Sequence, residues 1–296
     1  MTFAILFMST KFISWLIFVL LCFIWGSSFI LMKASKNELT WAEIASLRIF
    51  SAGIVMLPFA FFHFSRIPLK KMPLVILSAV CGNLLPAYLF AGAIAKNIDS
   101  GLAGILNSLT PICVVVTGII FFKSKTENRK TFGVLIGFAG LTLLTLTGKG
   151  GVSFENVGYT LWILLATILY GFNINIVGHY LKDINPIHLA TVSIACMIIP
   201  TGIVLWQGNF LQLPFDDDAT LLAVINSVML GIAGTAIATA LFYILVKKAG
   251  GLFASLVTYG IPFVAITWGF IFGENITLLQ IGCLGIILSG VYLANR

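Results

Sequence analysis

The chain has 296 residues, of which 59% are hydrophobic and only 9% charged, and its mean hydropathy is +1.08. A soluble domain carries about 25% charged residues, so this chain cannot clothe a water-facing surface and reads as an all-α integral membrane protein whose first partner is the lipid bilayer. Its net charge of +7 is scattered in small groups between apolar runs and forms no stripe, which excludes nucleic acid as a partner.

Lys11 precedes the first apolar run, as in a signal peptide. However, the 21 uncharged residues from Phe12 to Met32 are too long for a signal h-region, and no small-residue cleavage site follows. The run is therefore expected to be a retained span. Met8 opens "MSTKF", a more ordinary start than "MTFAILF", and stands as an alternative to Met1. A bilayer core about 30 Å thick needs about 20 apolar residues per helix, and irregular backbone is excluded against lipid. On that basis ten transmembrane helices are predicted, at roughly 12–33, 41–62, 73–94, 100–122, 131–148, 157–178, 187–206, 220–245, 252–273 and 276–294. The links between them are short, and the acidic run Asp216 to Asp218 reads as a solvated loop cap. The five cysteines all fall within apolar runs, without metal-ligand or disulfide spacing, so they are expected to pack as small hydrophobes and no cofactor is implied.

Lysine and arginine set the orientation. With the N-terminus inside, the inner segments hold Lys11, Arg66, Lys70, Lys71, Lys123, Lys125, Arg129, Lys130, Lys182, Lys247, Lys248 and Arg296. The outer segments hold only Lys33, Lys36, Lys96 and Lys149. Both termini are thus expected on the cytoplasmic side of the plasma (inner) membrane.

The chain also repeats itself. "LCFIWGSSFI" (21–30) and "ATILYGFNIN" (166–175) each place an aromatic before a glycine, with polar residues just after. "GLAGILNSLTPICVVVTGIIFFK" (101–123) and "LFASLVTYGIPFVAITWGFIFGE" (252–274) coincide at Ala103/Ala254, Pro111/Pro262, Gly118/Gly269, Ile120/Ile271 and Phe121/Phe272. Spans 1 and 4 therefore answer to spans 6 and 9, giving halves at 1–148 and 149–296. Five spans is an odd number, so the second half enters the membrane from the opposite side. Lys123 on the inside and its counterpart Glu274 on the outside agree with that inversion. Two inverted five-helix repeats are the architecture of secondary transporters, with a substrate site where the repeats meet.

At these residues the chain resembles the drug/metabolite transporter superfamily, in particular the ten-span EamA-type exporters. The resemblance rests on "WGSSFILMK", on "LRIF" with Arg48, and on "ASLVTYGIPFVAITWGFIFGE", and it extends over nearly the whole chain. It implies a central cavity opened alternately to each side, with export as the expected direction. The family often has Gly-Glu after span 4 where this chain has Lys123-Ser124, so no transport role carries over to that position.

Polar residues inside the apolar text are the candidates for substrate binding, because such groups must bond to something in hydrocarbon. Ser28 and its aligned Asn173 lead, with Asn175 two residues on. Trp25 and Tyr170 are either cavity walls or packing aromatics, and Gly26 is a close-packing position. Pro111 and Pro262 each free a carbonyl four residues earlier, at the aligned Asn107 and Thr258, beside Tyr259. These bends could gate or bind. Asn83 and Pro86 make a similar polar bend in span 3, near Tyr88. Arg48 is the one charge well within a span, and either pairs with Glu43 or holds a carboxylate of the cargo. His188 reads as an interface histidine. The glycines Gly133, Gly137 and Gly140 of span 5 and Gly282, Gly285 and Gly290 of span 10 read as packing seams.

No carboxylate lies near the midplane, so proton coupling is unsupported. An exporter of a small neutral or zwitterionic, amino-acid-like metabolite fits, and a monomer is compatible with that reading, although the sequence does not set the oligomeric state. Uptake or drug efflux on the same fold is the nearest alternative, and a non-transporting assembly subunit is the alternative of another class. An intramembrane enzyme would need a nucleophile with its base, a metal cluster or paired carboxylates, and the sequence offers none.

Overall fold

The computed structural model describes residues 10–35, 37–96, 106–125, 127–146, 157–208, 210–261, 263–264 and 278–295. Among the described residues there is no strand. Long apolar runs become helices because a helix alone bonds every backbone group within its own segment.

The first run forms α1 (Thr10–Ser35) and the second α2 (Trp41–His63). The third is α3 (Met72–Ala79) and α4 (Leu85–Ala95), joined by a π-helical segment, Val80–Leu84. Then come α5 (Thr110–Phe122), α6 (Asn128–Leu146) and α7 (Val157–His179). The seventh run breaks at Cys196 and Met197 into α8 (Pro186–Ala195) and α9 (Ile198–Gln207). The eighth is α10 (Asp218–Gly231) and α11 (Ala238–Ala249), joined by a second π segment, Ile232–Ile237. The five-residue α12 (Gly251–Ser255) follows, and α13 (Leu278–Asn295) ends the described chain. Among the described residues, six stretches are long and apolar enough to cross a membrane: Lys11–Ser28, Trp41–Arg66, Leu69–Ala95, Leu161–His179, Pro186–Gln207 and Asp218–Ala249. Thr110–Phe122, Gly251–Ile261 and Ile281–Ala294 are shorter apolar helices.

Helix starts follow their capping residues. Thr40 and Glu43 form a capping box at α2, each side chain bonding the other's backbone N–H. The Asp217 carboxylate receives the Thr220 N–H at α10, and the Asn185 amide oxygen that of Ile187 at α8. Outside the membrane core, Lys71 bonds the Asp183 carboxylate and the Tyr180 carbonyl, tying the start of α3 to the end of α7. That ammonium holds the exposed Asp183 carboxyl below its ordinary pKa.

The exterior is apolar. Phe61, Trp206, Leu211 and Leu278 are each more than 80% exposed, a surface that suits lipid and not water. Close helix approaches fall where small residues permit them. A Cβ on Gly26 of α1 would sit 2.7 Å from Val264 Cβ, and one on Gly171 of α7 would sit 2.9 Å from the Cys113 carbonyl carbon of α5. A backbone-to-backbone seam joins α6 and α13: a Cβ at Gly133 would lie 2.5 Å from the Ala294 backbone nitrogen, and one at Gly290 would overlap the Gly137 backbone. Gly282 and Gly285, expected in the same seam, face open space instead, because only one stripe of α13 meets α6.

Backbone atoms cannot swing aside as a side chain can. Gly290→Val is therefore expected to cost on the order of 1–3 kcal/mol of stability by overpacking, read as a lowered Tm in detergent. Gly285→Ala leaves the Tm where it is.

Candidate functional site

A cavity lies among α1, α2, the two π segments, α5, α7, α11 and α12. It encloses about 120 Å³ into which the centre of a water molecule fits. Trp25 and Ser28 come to it from α1, Arg48 from α2, and Gly82, Asn83 and Pro86 from the first π segment and the start of α4. Asn107 and Thr110 enter at the α5 end, Tyr170 and Asn173 from α7, and Gly234, Thr235 and Thr239 from the second π segment and the start of α11. Ser255 and Thr258 close the ring, with Phe90, Phe242 and Ile261 as apolar wall.

The two π segments shape this space. A π turn is wider than an α turn and recurs at functional sites. Each segment puts a glycine against a polar side chain of a span from the other end of the chain: Gly82 abuts the Asn173 amide, and a Cβ on Gly234 would sit 3.0 Å from Ser28 Oγ. Trp25 Nε1 donates to the Gly234 carbonyl at 2.9 Å, and Arg48 Nη2 reaches the same oxygen at 3.4 Å. Arg48 Nε donates to Thr235 Oγ1 at 2.8 Å.

Arg48 does not pair with Glu43. Glu43 Oε2 accepts instead from Thr40 N at 2.8 Å and Thr40 Oγ1 at 2.6 Å, because the helix start has unpaired N–H groups within reach. The ion pairs among the described residues, Lys71–Asp183 and Lys130–Glu127, lie elsewhere, so no described carboxylate answers the guanidinium. Two further polar atoms are buried without a partner, Asn83 Nδ2 and Asn107 Oδ1, and both residues line the cavity. Asn83 Oδ1 accepts from Thr239 Oγ1 at 3.1 Å, which fixes the amide with its other end unspent.

On its side toward the start of α3 and the end of α11, the cavity is crossed by three bonded side chains, from α3, α7 and α11. Ser78 Oγ donates to Asn173 Oδ1 at 2.6 Å and lies 3.0 Å from the Tyr243 hydroxyl, all three buried. On the same face Lys247 bonds the Ile184 carbonyl, beside the Lys71–Asp183 pair.

Of the residues singled out in the sequence, Trp25, Ser28, Arg48, Asn83, Pro86, Asn107, Tyr170, Asn173 and Thr258 line the cavity. Tyr88, Asn175, Tyr259 and Pro111 do not. The Tyr88 hydroxyl bonds Ser46. Asn175 Nδ2 donates to Val114 O, Thr117 Oγ1 and Gly171 O, bracing α7 on α5. The Tyr259 hydroxyl donates to Val134 O of α6 at 2.9 Å. Pro111 sits in the first turn of α5, and the Asn107 carbonyl it frees is met by the Thr110 hydroxyl. Pro262 lies outside the described residues. Ser78, Thr110, Thr235, Thr239, Tyr243 and Ser255 carry no signal in the sequence that separates them from helix-packing hydroxyls and a core tyrosine.

The EamA-like transporter family matches residues 12–146 and, separately, 158–296. The chain belongs to that family. An "Uncharacterized transporter" of Archaeoglobus fulgidus is 26% identical over 95% of this chain and 98% of its own length. The "Uncharacterized inner membrane transporter YedA" of Escherichia coli K12 is 24% identical over 92% of this chain and 87% of its own. A chloroplastic WAT1-related protein of Arabidopsis thaliana is 24% identical over 96% of this chain and 70% of its own. A solved crystal structure shares the fold at a TM-score of 0.70 and 18% identity, over 95% of this chain and 96% of that one. As an EamA-like transporter the chain is an integral membrane protein that handles a small molecule.

Asn175 separates scaffold from cavity within α7. Asn175→Leu is expected to cost about 1–3 kcal/mol through its lost hydrogen bonds, measured as a lower Tm. Any ligand-induced rise in Tm keeps its size in this variant, because the side chain does not face the cavity.

Proposed function

We propose that this EamA-like protein is a secondary transporter that carries a small, amino-acid-sized polar metabolite by alternating access through the central cavity. In this reading ten spans form two inverted five-helix repeats, 1–148 and 149–296, and both termini face the cytoplasm. The Ser78–Asn173–Tyr243 cluster and the Lys71–Asp183 contact then lie on the cytoplasmic side, so the cavity addresses the outside.

The observation that carries this reading is a reciprocal contact. Gly82-Asn83 and Gly234-Thr235 occupy matching places in two π segments, and each glycine receives the polar residue of the opposite aligned pair, Asn173 and Ser28. Gly26 against Val264 and Gly171 against Cys113 form a second such pair. The two separate family matches support the same division. A bundle with a pseudo-two-fold axis in the membrane plane has two packings of similar energy, related by rotation about that axis, and exchange between them is alternating access. Export is the direction of the exporters the chain resembles.

The test is counterflow in liposomes loaded with amino acids, nucleobases or sugars. At least one class should exchange. Ser28→Leu and Asn173→Leu should each lower that exchange about tenfold or more in protein that its Tm shows to be folded at the assay temperature. Spermidine, a polycation, should not be carried, since the lining residues include no carboxylate. Exchange untouched by both variants would remove the cavity from the pathway, and absence of exchange in every class would remove transport itself. Inside-out against right-side-out vesicles reads the direction.

A further inference from the structure

The cavity holds one charged side chain and no counter-charge among the described residues. Arg48 spends Nε on Thr235 and one Nη2 donor on Gly234, and a guanidinium has five N–H donors in a planar fork. Arg48 lines a space whose described lining residues include no carboxylate. An unpaired cation in a low-dielectric space is costly, and such a group inside a membrane marks a ligand path by default. The fork matches a carboxylate two-to-two. Asn83 and Asn107 line the same space, and each keeps one buried side-chain atom without a partner, Asn83 Nδ2 and Asn107 Oδ1. A second positive charge brought beside Arg48 would meet no acidic side chain.

We propose that the cavity selects small organic monoanions: a carboxylate seated on Arg48, with a hydroxyl or amide elsewhere on the molecule bonding the asparagine side chains of the wall, Asn83 and Asn107, in preference to the zwitterionic amino acid of the same skeleton. This rests on the transport reading for the role of the cavity, but it is a statement about binding and is measured without flux. A hydroxyl can bond either asparagine, because it accepts from an amide N–H and donates to an amide carbonyl. An ammonium donates only, so Asn83 Nδ2 would stay unpaired, and its charge would sit near the guanidinium. An apolar body then rests against Phe90, Phe242 and Ile261.

Four molecules of one skeleton test this on the purified protein in detergent, by the ligand concentration that half-saturates the rise in Tm. They are 2-hydroxy-4-methylpentanoate, 4-methylpentanoate, leucine and leucinamide. The expected order is the hydroxy acid tightest, the plain acid next, leucine weaker than the hydroxy acid by about tenfold or more, and leucinamide without effect. Arg48→Gln keeps a donor for Thr235 and should abolish the hydroxy-acid shift, while Arg48→Lys retains part of it. Leucine binding as tightly as the hydroxy acid, leucinamide binding at all, or no shift from any of the four overturns the proposal. So does a hydroxy-acid shift that survives in Arg48→Gln. If that variant does not fold, the wild-type charge series decides alone. A correct binding order with no counterflow of the hydroxy acid would leave the anion site standing and overturn transport, so the two failures are distinct.

Discussion

Inside a bilayer every backbone polar group must be bonded by the protein itself, and the two π segments are where this chain uses that constraint for a purpose. A widened turn offers carbonyls to side chains, and Gly234 O takes Trp25 Nε1 and the Arg48 guanidinium together. That single oxygen ties α1 and α2 to the run that contains α10 and α11. Because the residue is a glycine, Ser28 can come up against it. The same arrangement at Gly82 brings Asn173 against the first π segment. The polar interior therefore follows from two local departures from α geometry, one in each half of the sequence.

The hydroxyls around this core divide by what they satisfy. Thr117, Thr191, Thr201 and Ser227 donate back to carbonyls of their own helical runs, a bond that spends the one hydroxyl donor locally. Thr235 and Thr239 bond across to Arg48 and Asn83 instead. The second set reaches across because the π turn has rotated its residues relative to the helix before it. The asparagines divide in the same way. Asn175 is spent three times on α5 and its own helix, whereas Asn83 and Asn107 each keep one buried atom in reserve.

This division explains what could be read from the sequence. The helices were legible because an apolar run of that length has few other structures open to it in lipid. Ser28 and Asn173 were legible because two polar residues recurred at aligned positions. Asn175 and Tyr259 look the same in the sequence, yet their bonds end on Val114 O and Val134 O. Polarity in hydrocarbon announces a need for a partner and not which partner meets it. Thr235 and Thr239 were illegible for a related reason: a 3.6-residue period assigns faces only while the turn stays α, and the π segments shift that phase. The Glu43–Arg48 pairing failed because five residues along a helix is the wrong spacing, and Thr40 was nearer.

The asymmetry of the cavity bears on how it can move. Glycines, π turns and helix seams recur in both halves, so the scaffold alone gives no reason to prefer one face of the membrane. Arg48 has no charged counterpart among the cavity residues from the second half. Closing both ends around an unanswered guanidinium removes its water without replacing it, and that penalty falls on the occluded state in particular. An anion in the fork offsets it. In the proposed cycle the scaffold would supply two packings close in energy, and the single arginine would make passage between them depend on what the cavity holds.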